Sequence, residues 1–157
     1  MACEIGSPGP LASAPALVLD TNVVLDWLVF RDARMQHLAA ALQAGTVRWL
    51  ACPAMREELA RALGYASLAR WHPDSEHVLT VFDSVHRPCP APAPAPQPGL
   101  CCSDPDDQVF IDLALAQRAR WLVTHDRALH RLARAARAAG LEVLRPADWP
   151  GGPPGRV

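Results

Sequence analysis

The residues of this chain best suited to chemistry are carboxylates, and four of them stand where a folded chain would gather them. Asp20 ends the apolar run Ala16-Leu17-Val18-Leu19. Asp126 follows Trp121-Leu122-Val123-Thr124, with His125 between. A short continuous apolar run reads as a strand buried in a parallel sheet. Open parallel sheets bind ligands beyond the carboxyl ends of their strands, so Asp20 and Asp126 are expected on one rim. Each is also a good N-cap for the helix that follows, and position alone leaves both roles open.

Asp107 opens a segment in which Phe110, Ile111, Ala114 and Leu115 fall 3, 4, 7 and 8 residues on. That spacing puts Asp107 on the apolar side of a helix, at its entry. Asp104 and Asp106 crowd the same turn. One of them is expected to be the cap, and a solvated helix start favoured by the macrodipole is the alternative. Glu58 shares a side with Met55 and Ala62, whereas Glu57 has Arg61 four residues on. An inward carboxylate needs a partner or a cation; a solvated Glu57/Glu58 patch is the competing reading.

If Asp20, Glu58, Asp107 and Asp126 converge, they cannot all stay ionised without a positive charge beside them. Hard oxygen donors select Mg²⁺ or Mn²⁺, with water and substrate phosphate completing the shell. Such a site suits phosphodiester hydrolysis, because the ion lowers the pKa of water and offsets charge on the leaving oxygen. All fifteen basic residues are Arg, and the absence of Lys excludes Schiff-base and P-loop lysine chemistry. The 157 residues carry a formal charge of −1. That excludes a strongly basic coat or a polybasic membrane tail.

The elements that must hold these acids alternate along the chain. After the first strand come an apolar helix over Asn22–Phe30 and a helix over Arg31–Ala44 that stops at Gly45. Thr46–Leu50 is a second strand, and a helix begins at Pro53 and closes at Gly64. Asp74 or Ser75 caps another helix reaching about His86. A helix follows Asp107 to about Arg118, and a third strand covers Trp121–Thr124. A helix over Arg127–Ala139, closed by Gly140, precedes a fourth strand at Leu141–Leu144. Alternation of this kind implies an α/β fold: a single three-layer domain, with a central parallel sheet of four or five strands flanked by helices. The domain is expected over residues 16–149. Residues 1–15 read as a disordered N-terminus, the Pro/Ala-rich run 87–99 as an exposed extended loop, and 150–157 as a flexible tail. The five Cys (Cys3, Cys52, Cys89, Cys101, Cys102) are odd in number and form no CxxC, which speaks against a disulfide framework or a zinc site. Met1–Pro15 lacks a basic region and holds three prolines, unlike a signal peptide. No apolar run nears the ~18 residues of a membrane span, and a cytoplasmic protein is expected.

The acid-bearing segments resemble those of the PIN-domain nucleases. Leu19-Asp20-Thr21-Asn22-Val23-Val24 looks like their opening strand and turn, and Glu57-Glu58-Leu59 like the acidic helix. Ser103-Asp104-Pro105-Asp106-Asp107-Gln108-Val109-Phe110-Ile111-Asp112-Leu113-Ala114 looks like the segment of the third acid, and Leu122-Val123-Thr124-His125-Asp126 like that of the fourth. The likeness runs from about Ala16 to Trp149 and is greatest to the VapC-like toxin components of toxin–antitoxin systems. It implies endoribonuclease activity and a Mg²⁺ or Mn²⁺ site formed by Asp20, Glu58, Asp107 and Asp126. Thr21 or Asn22 would orient the first acid or the attacking water, with Asp104 in support. The implied partners are RNA, a cognate antitoxin and a second copy of the chain.

A net charge near zero makes phosphate contacts local. Arg127, Arg131 and Arg134 recur at +4 and +7 beside Asp126 as candidate RNA contacts; a solvated helix face is the alternative. Arg56, Arg61 and Arg70 are further candidates. Trp27, Trp49, Trp71, Trp121 and Trp149 would either stack on bases or pack in the core. His125 is either a proton donor or a bystander. Two rival readings stand beside the nuclease. A haloacid-dehalogenase-like phosphatase would need an acid where Asn22 stands, and a Lys that is absent. A non-catalytic PIN-like module would bind nucleic acid or protein without cutting.

Overall fold

Ala16-Leu17-Val18-Leu19 is apolar throughout because strand β1 (Ala16–Leu19) lies at the centre of the sheet and is covered on both faces, with every residue buried. The computed structural model describes residues 14–93 and 99–151. The expectations for residues 1–13, 94–98 and 152–157 lie outside the described residues. β1 pairs in parallel with β2 (Arg48–Ala51) on one side and β4 (Trp121–Val123) on the other. β3 (Arg87–Pro88) extends the sheet beyond β2, and β5 (Glu142–Leu144) extends it beyond β4. The order β3-β2-β1-β4-β5 is wholly parallel, so the sheet of five strands meets the expected α/β architecture.

Helices fill the connections: α1 (Thr21–Leu28), α2 (Gln36–Ala44), α3 (Pro53–Leu63), α4 (Ser75–Val85), α5 (Gln108–Ala116), α6 (Arg127–His130) and α7 (Ala133–Ala138). Local chemistry sets their ends. Pro53 occupies the first turn of α3, where its missing N–H costs nothing. The Asp74 carboxylate accepts the His77 N–H at 3.0 Å to start α4. Gly45 closes α2 at φ 73°, a left-handed conformation that a side chain would strain. In the core, fully buried Trp49 meets Trp27 and Phe82 edge-on, with centroids 5.9 and 4.9 Å away.

Three expectations need correction. The helix expected over Arg31–Ala44 begins late: a 3₁₀ turn, Ala33–Met35, is capped by the Asp32 side chain, and only then does α2 form. The helix expected over Arg127–Ala139 is two helices. The Leu132 N–H bonds back three residues to the Leu129 carbonyl, and the His130 ring is held against the Thr124 carbonyl, tightening the chain between α6 and α7. The Pro-rich run is not all loop, for Arg87-Pro88 forms β3. An edge strand tolerates proline because its outward N–H has no ladder partner to lose. A 3₁₀ segment, Ala66–Trp71, also stands in a stretch for which no element was expected.

Among the described residues no helix is long and apolar enough to cross a membrane, and Cys52, Cys89, Cys101 and Cys102 are all free thiols.

Leu122 is fully buried in β4, in register with Val18 and Val143. Leu122→Ala should cost about 3 kcal/mol by transfer and cavity formation. Urea unfolding should show a lower midpoint with the same slope.

Candidate active site

The strand order reverses direction at β1: β2 and β3 lie on one side of it, β4 and β5 on the other. That makes the carboxyl ends of β1 and β4 the crevice where an open α/β sheet takes its ligand. Asp20 directly follows β1, and its N–H bonds to the Val123 carbonyl of β4 at 3.0 Å. Thr124 directly follows β4 and joins the two acids. Its hydroxyl donates to Asp20 Oδ2 at 2.7 Å and accepts the Asp126 N–H at 2.9 Å. One buried Oγ1 thereby orients the Asp20 carboxylate and fixes the backbone that carries Asp126.

Asp126 caps α6, its Oδ1 accepting the Ala128 and Leu129 N–H groups at 2.7 and 3.2 Å. Those bonds engage Oδ1, and the Asp126 side chain also meets that of Asp107. Asp107 is buried at the entry of α5. Asp104 caps the 3₁₀ turn just before it, accepting the Asp106 N–H at 3.0 Å. Asp104 is thus the cap of that crowded turn, and Asp107 its inward acid. Gln108 braces this corner. Its Oε1 accepts the Cys102 N–H at 2.6 Å, and its Nε2 donates to the Leu100 carbonyl at 3.0 Å and to Asp112 Oδ1 at 2.8 Å.

Glu58 projects from α3 and is half-buried; Glu57 is exposed. The Thr21 hydroxyl donates to Glu58 Oε2 at 2.9 Å. Thr21 therefore orients the second acid rather than the first, which Thr124 holds. Asn22 is exposed. The Thr21 and Asn22 amides face the Asp20 carboxylate without closing a capping hydrogen bond.

The electrostatics report how near the acids are. Burial pushes the Asp20 carboxyl above its ordinary range; the Asp126 charge adds to this and the Thr124 hydroxyl opposes it. Burial also raises Glu58, and the charges of Asp20 and Asp106 add to it while Thr21 and Arg61 oppose. Asp107 is pushed up to about 7, first by burial and then by the charges of Asp20, Asp126 and Asp104. Asp20 is thus the acid that acts on both Glu58 and Asp107. Among the described residues, though, no three His, Cys, Asp or Glu side chains stand close enough to hold one ion between them.

The candidate RNA contacts Arg127, Arg131 and Arg134 are exposed, with Arg127 on α6, Arg131 at its end and Arg134 on α7. His125 Nε2 lies 2.7 Å from Asp26 Oδ2, which ties the loop before Asp126 to α1. Neither this pair nor the Thr124 bridge leaves a local mark in the sequence, because their partners lie 99 and 104 residues apart.

A sequence profile of the PIN domain matches residues 16–128. Among curated proteins none matches this chain by sequence. Among solved structures, the chain is similar to one in the crystal structure of VapBC2 from Rickettsia felis bound to a DNA fragment from its promoter. The TM-score is 0.53 at 13% identity, over 82% of this chain and 96% of that chain. At that identity the likeness is one of fold. The PIN domain endonuclease Utp24 aligns with 15% identity and a TM-score of 0.49, over 82% of this chain and 81% of its own.

Thr124→Val keeps the shape and removes the hydroxyl. It leaves the Asp20 carboxylate and the Asp126 N–H without their partner and should cost about 1–3 kcal/mol in thermal or urea unfolding. A second outcome follows from Asp107. In the fold it keeps its proton up to about pH 7, whereas an unfolded chain releases it near 3.8. Between these values the folded state binds more protons, so its contribution to stability is present at low pH and is lost as pH rises through about 7. The metal-free melting temperature, followed by circular dichroism, should fall across that window, and fall less in Asp107→Asn.

Proposed function

This chain belongs to the PIN domain family, and from that premise we propose that it is a metal-dependent endoribonuclease hydrolysing RNA phosphodiester bonds. What supports the reading is Asp20 and Asp126 beyond β1 and β4, joined by the Thr124 hydroxyl, with Asp20, Glu58 and Asp107 all held above their ordinary carboxyl range. Buried like charges of this kind are unfavourable alone and become favourable around a cation.

The donor set fits Mg²⁺ or Mn²⁺, both of which prefer carboxylate and water oxygens. Mg²⁺ is commonly held through one or two carboxylates and keeps several waters. Asp20, Glu58, Asp107 and Asp126 would hold the metal. When bound, it supplies an acidified water and offsets charge on the phosphate and the leaving oxygen. The protein's own part is orientation. The Thr124 hydroxyl fixes the Asp20 carboxylate and the Thr21 hydroxyl that of Glu58, while the α6 amides hold Asp126 Oδ1. Arg127, Arg131 and Arg134 supply local positive charge for phosphates on a chain whose net charge is −1. We assign the protein the role of toxin in a type II toxin–antitoxin pair, acting in the cytoplasm on RNA as a homodimer and restrained by a cognate antitoxin. The resemblance to VapC-like toxins supports this role.

A second reading rests on the absence, among the described residues, of three ligands already at bonding distance. It is a PIN-like module that binds without cutting.

Wild-type protein with Mn²⁺ or Mg²⁺ should cleave single-stranded RNA, and Asp20→Asn should lower the rate by ~100-fold or more. Mn²⁺ should raise the melting temperature of the wild type and leave that of Asp20→Asn nearly unchanged. No calorimetric binding at millimolar metal, together with no cleavage, would favour the module. Induced expression should arrest growth for the wild type and not for Asp20→Asn.

A further inference from the structure

Two large hydrophobic side chains stand exposed among the described residues, Tyr65 at 56% and Trp71 at 45%, and they bracket one short 3₁₀ segment. Of the other tryptophans, Trp49, Trp121 and Trp149 are buried and Trp27 is half-buried. Trp71 is the exception, and it is held rather than loose. Phe30 meets it edge-on with centroids 4.9 Å apart, and the Arg70 guanidinium lies over it at 5.2 Å.

The patch is linked to the acid-bearing elements along two routes. Tyr65 stands two residues past the end of α3, the helix that carries Glu58. Arg61, between them, lies within electrostatic reach of Glu58. On the other side, Phe30 is two residues from Asp32, which lies within electrostatic reach of His125, the neighbour of Asp126. Two Arg side chains stand beside the aromatic pair. Among the described residues neither Arg61 nor Arg70 joins an ion pair. Exposed aromatic side chains interleaved with Arg outside any ion pair are the elements of a single-strand platform, in which bases stack and cations follow the phosphates.

We propose that Tyr65 and Trp71, with Arg61 and Arg70, form a stacking subsite that receives unpaired bases of a single-stranded RNA a few nucleotides from the scissile phosphate. The proposal rests on the nuclease reading and assigns side chains of this chain to the unpaired bases of that substrate. Duplex RNA keeps its base faces stacked and cannot use such a surface. The Arg pair gives the patch a charge that complements phosphate, which favours nucleic acid over an apolar protein surface as its occupant.

The test is equilibrium binding in EDTA, which separates binding from cleavage. The probes are a labelled, unstructured oligoribonucleotide of about a dozen nucleotides and a hairpin of equal length. Trp71→Ala should weaken binding of the single strand about ten-fold or more and leave the hairpin unchanged, while Trp71→Phe keeps most of the affinity. Tyr65→Ala, at a still more exposed position, should act in the same direction with an unchanged melting temperature. Unchanged single-strand affinity in both alanine variants would overturn the subsite. So would loss of self-association on sedimentation with RNA affinity intact, which would give the patch to a second copy. If the wild type binds and cleaves while the variants behave like it, the subsite alone fails. If the wild type neither binds nor cleaves single strands, the nuclease reading fails with it.

Discussion

Repulsion between carboxylates is the constraint around which this molecule is arranged. Asp20, Glu58, Asp107 and Asp126 come from four separate stretches of chain, and burial together with their mutual charge disfavours ionising three of them. Left to themselves such groups would part or stay protonated. What keeps them together is the apolar sheet beneath. β1 and β4 are buried and paired in register from Leu17–Trp121 to Leu19–Val123, so the residues that follow each strand have nowhere else to go. Thr124 adds direction, since its single hydroxyl bonds to both the Asp20 side chain and the Asp126 backbone. The stability of the core thus offsets an unfavourable arrangement at its rim, as functional sites commonly require.

Much of this was legible in the residues, and what escaped did so for identifiable reasons. Asp20 and Asp126 could be placed because each ends a run of buried apolar residues, and a buried parallel strand leaves its mark in consecutive positions. Helical spacing put Asp107 on the apolar side of its helix, but the choice among Asp104, Asp106 and Asp107 stayed open in the sequence. Thr124 could not be singled out, because a threonine at a strand's end is ordinary and its partner is 104 residues away. Thr21 was noticed through its place beside Asp20, as one of two residues that would orient that acid or the attacking water; its hydroxyl donates to Glu58 on α3, a partner 37 residues away. The helix expected after Asp126 failed as one element because apolar periodicity carries no sign of the His130 bond to the Thr124 carbonyl, which shortens the first turn. β3 was hidden by its proline, which argues against a central strand and says little about an edge.

The Pro/Ala-rich run bears on the site through its return. Where the chain re-enters the described structure, Leu100 and Cys102 are fastened to Gln108, in the first turn of α5, and Gln108 also meets Asp112. The third acid therefore inherits its position from two sources: the apolar face of α5 and the fastening of the incoming chain to Gln108. Variation in the length of the run can be absorbed upstream of this fastening without moving Asp107.

Pro88 has a consequence for how copies of this chain can meet. It closes the outer rung of the sheet in β3, and β5 at the opposite margin is only three residues long. Neither margin offers a stranger a long row of amides and carbonyls on which to zip itself. Growth of the sheet from molecule to molecule, the usual route to fibrils, is thereby discouraged, and assembly is left to helices and side chains.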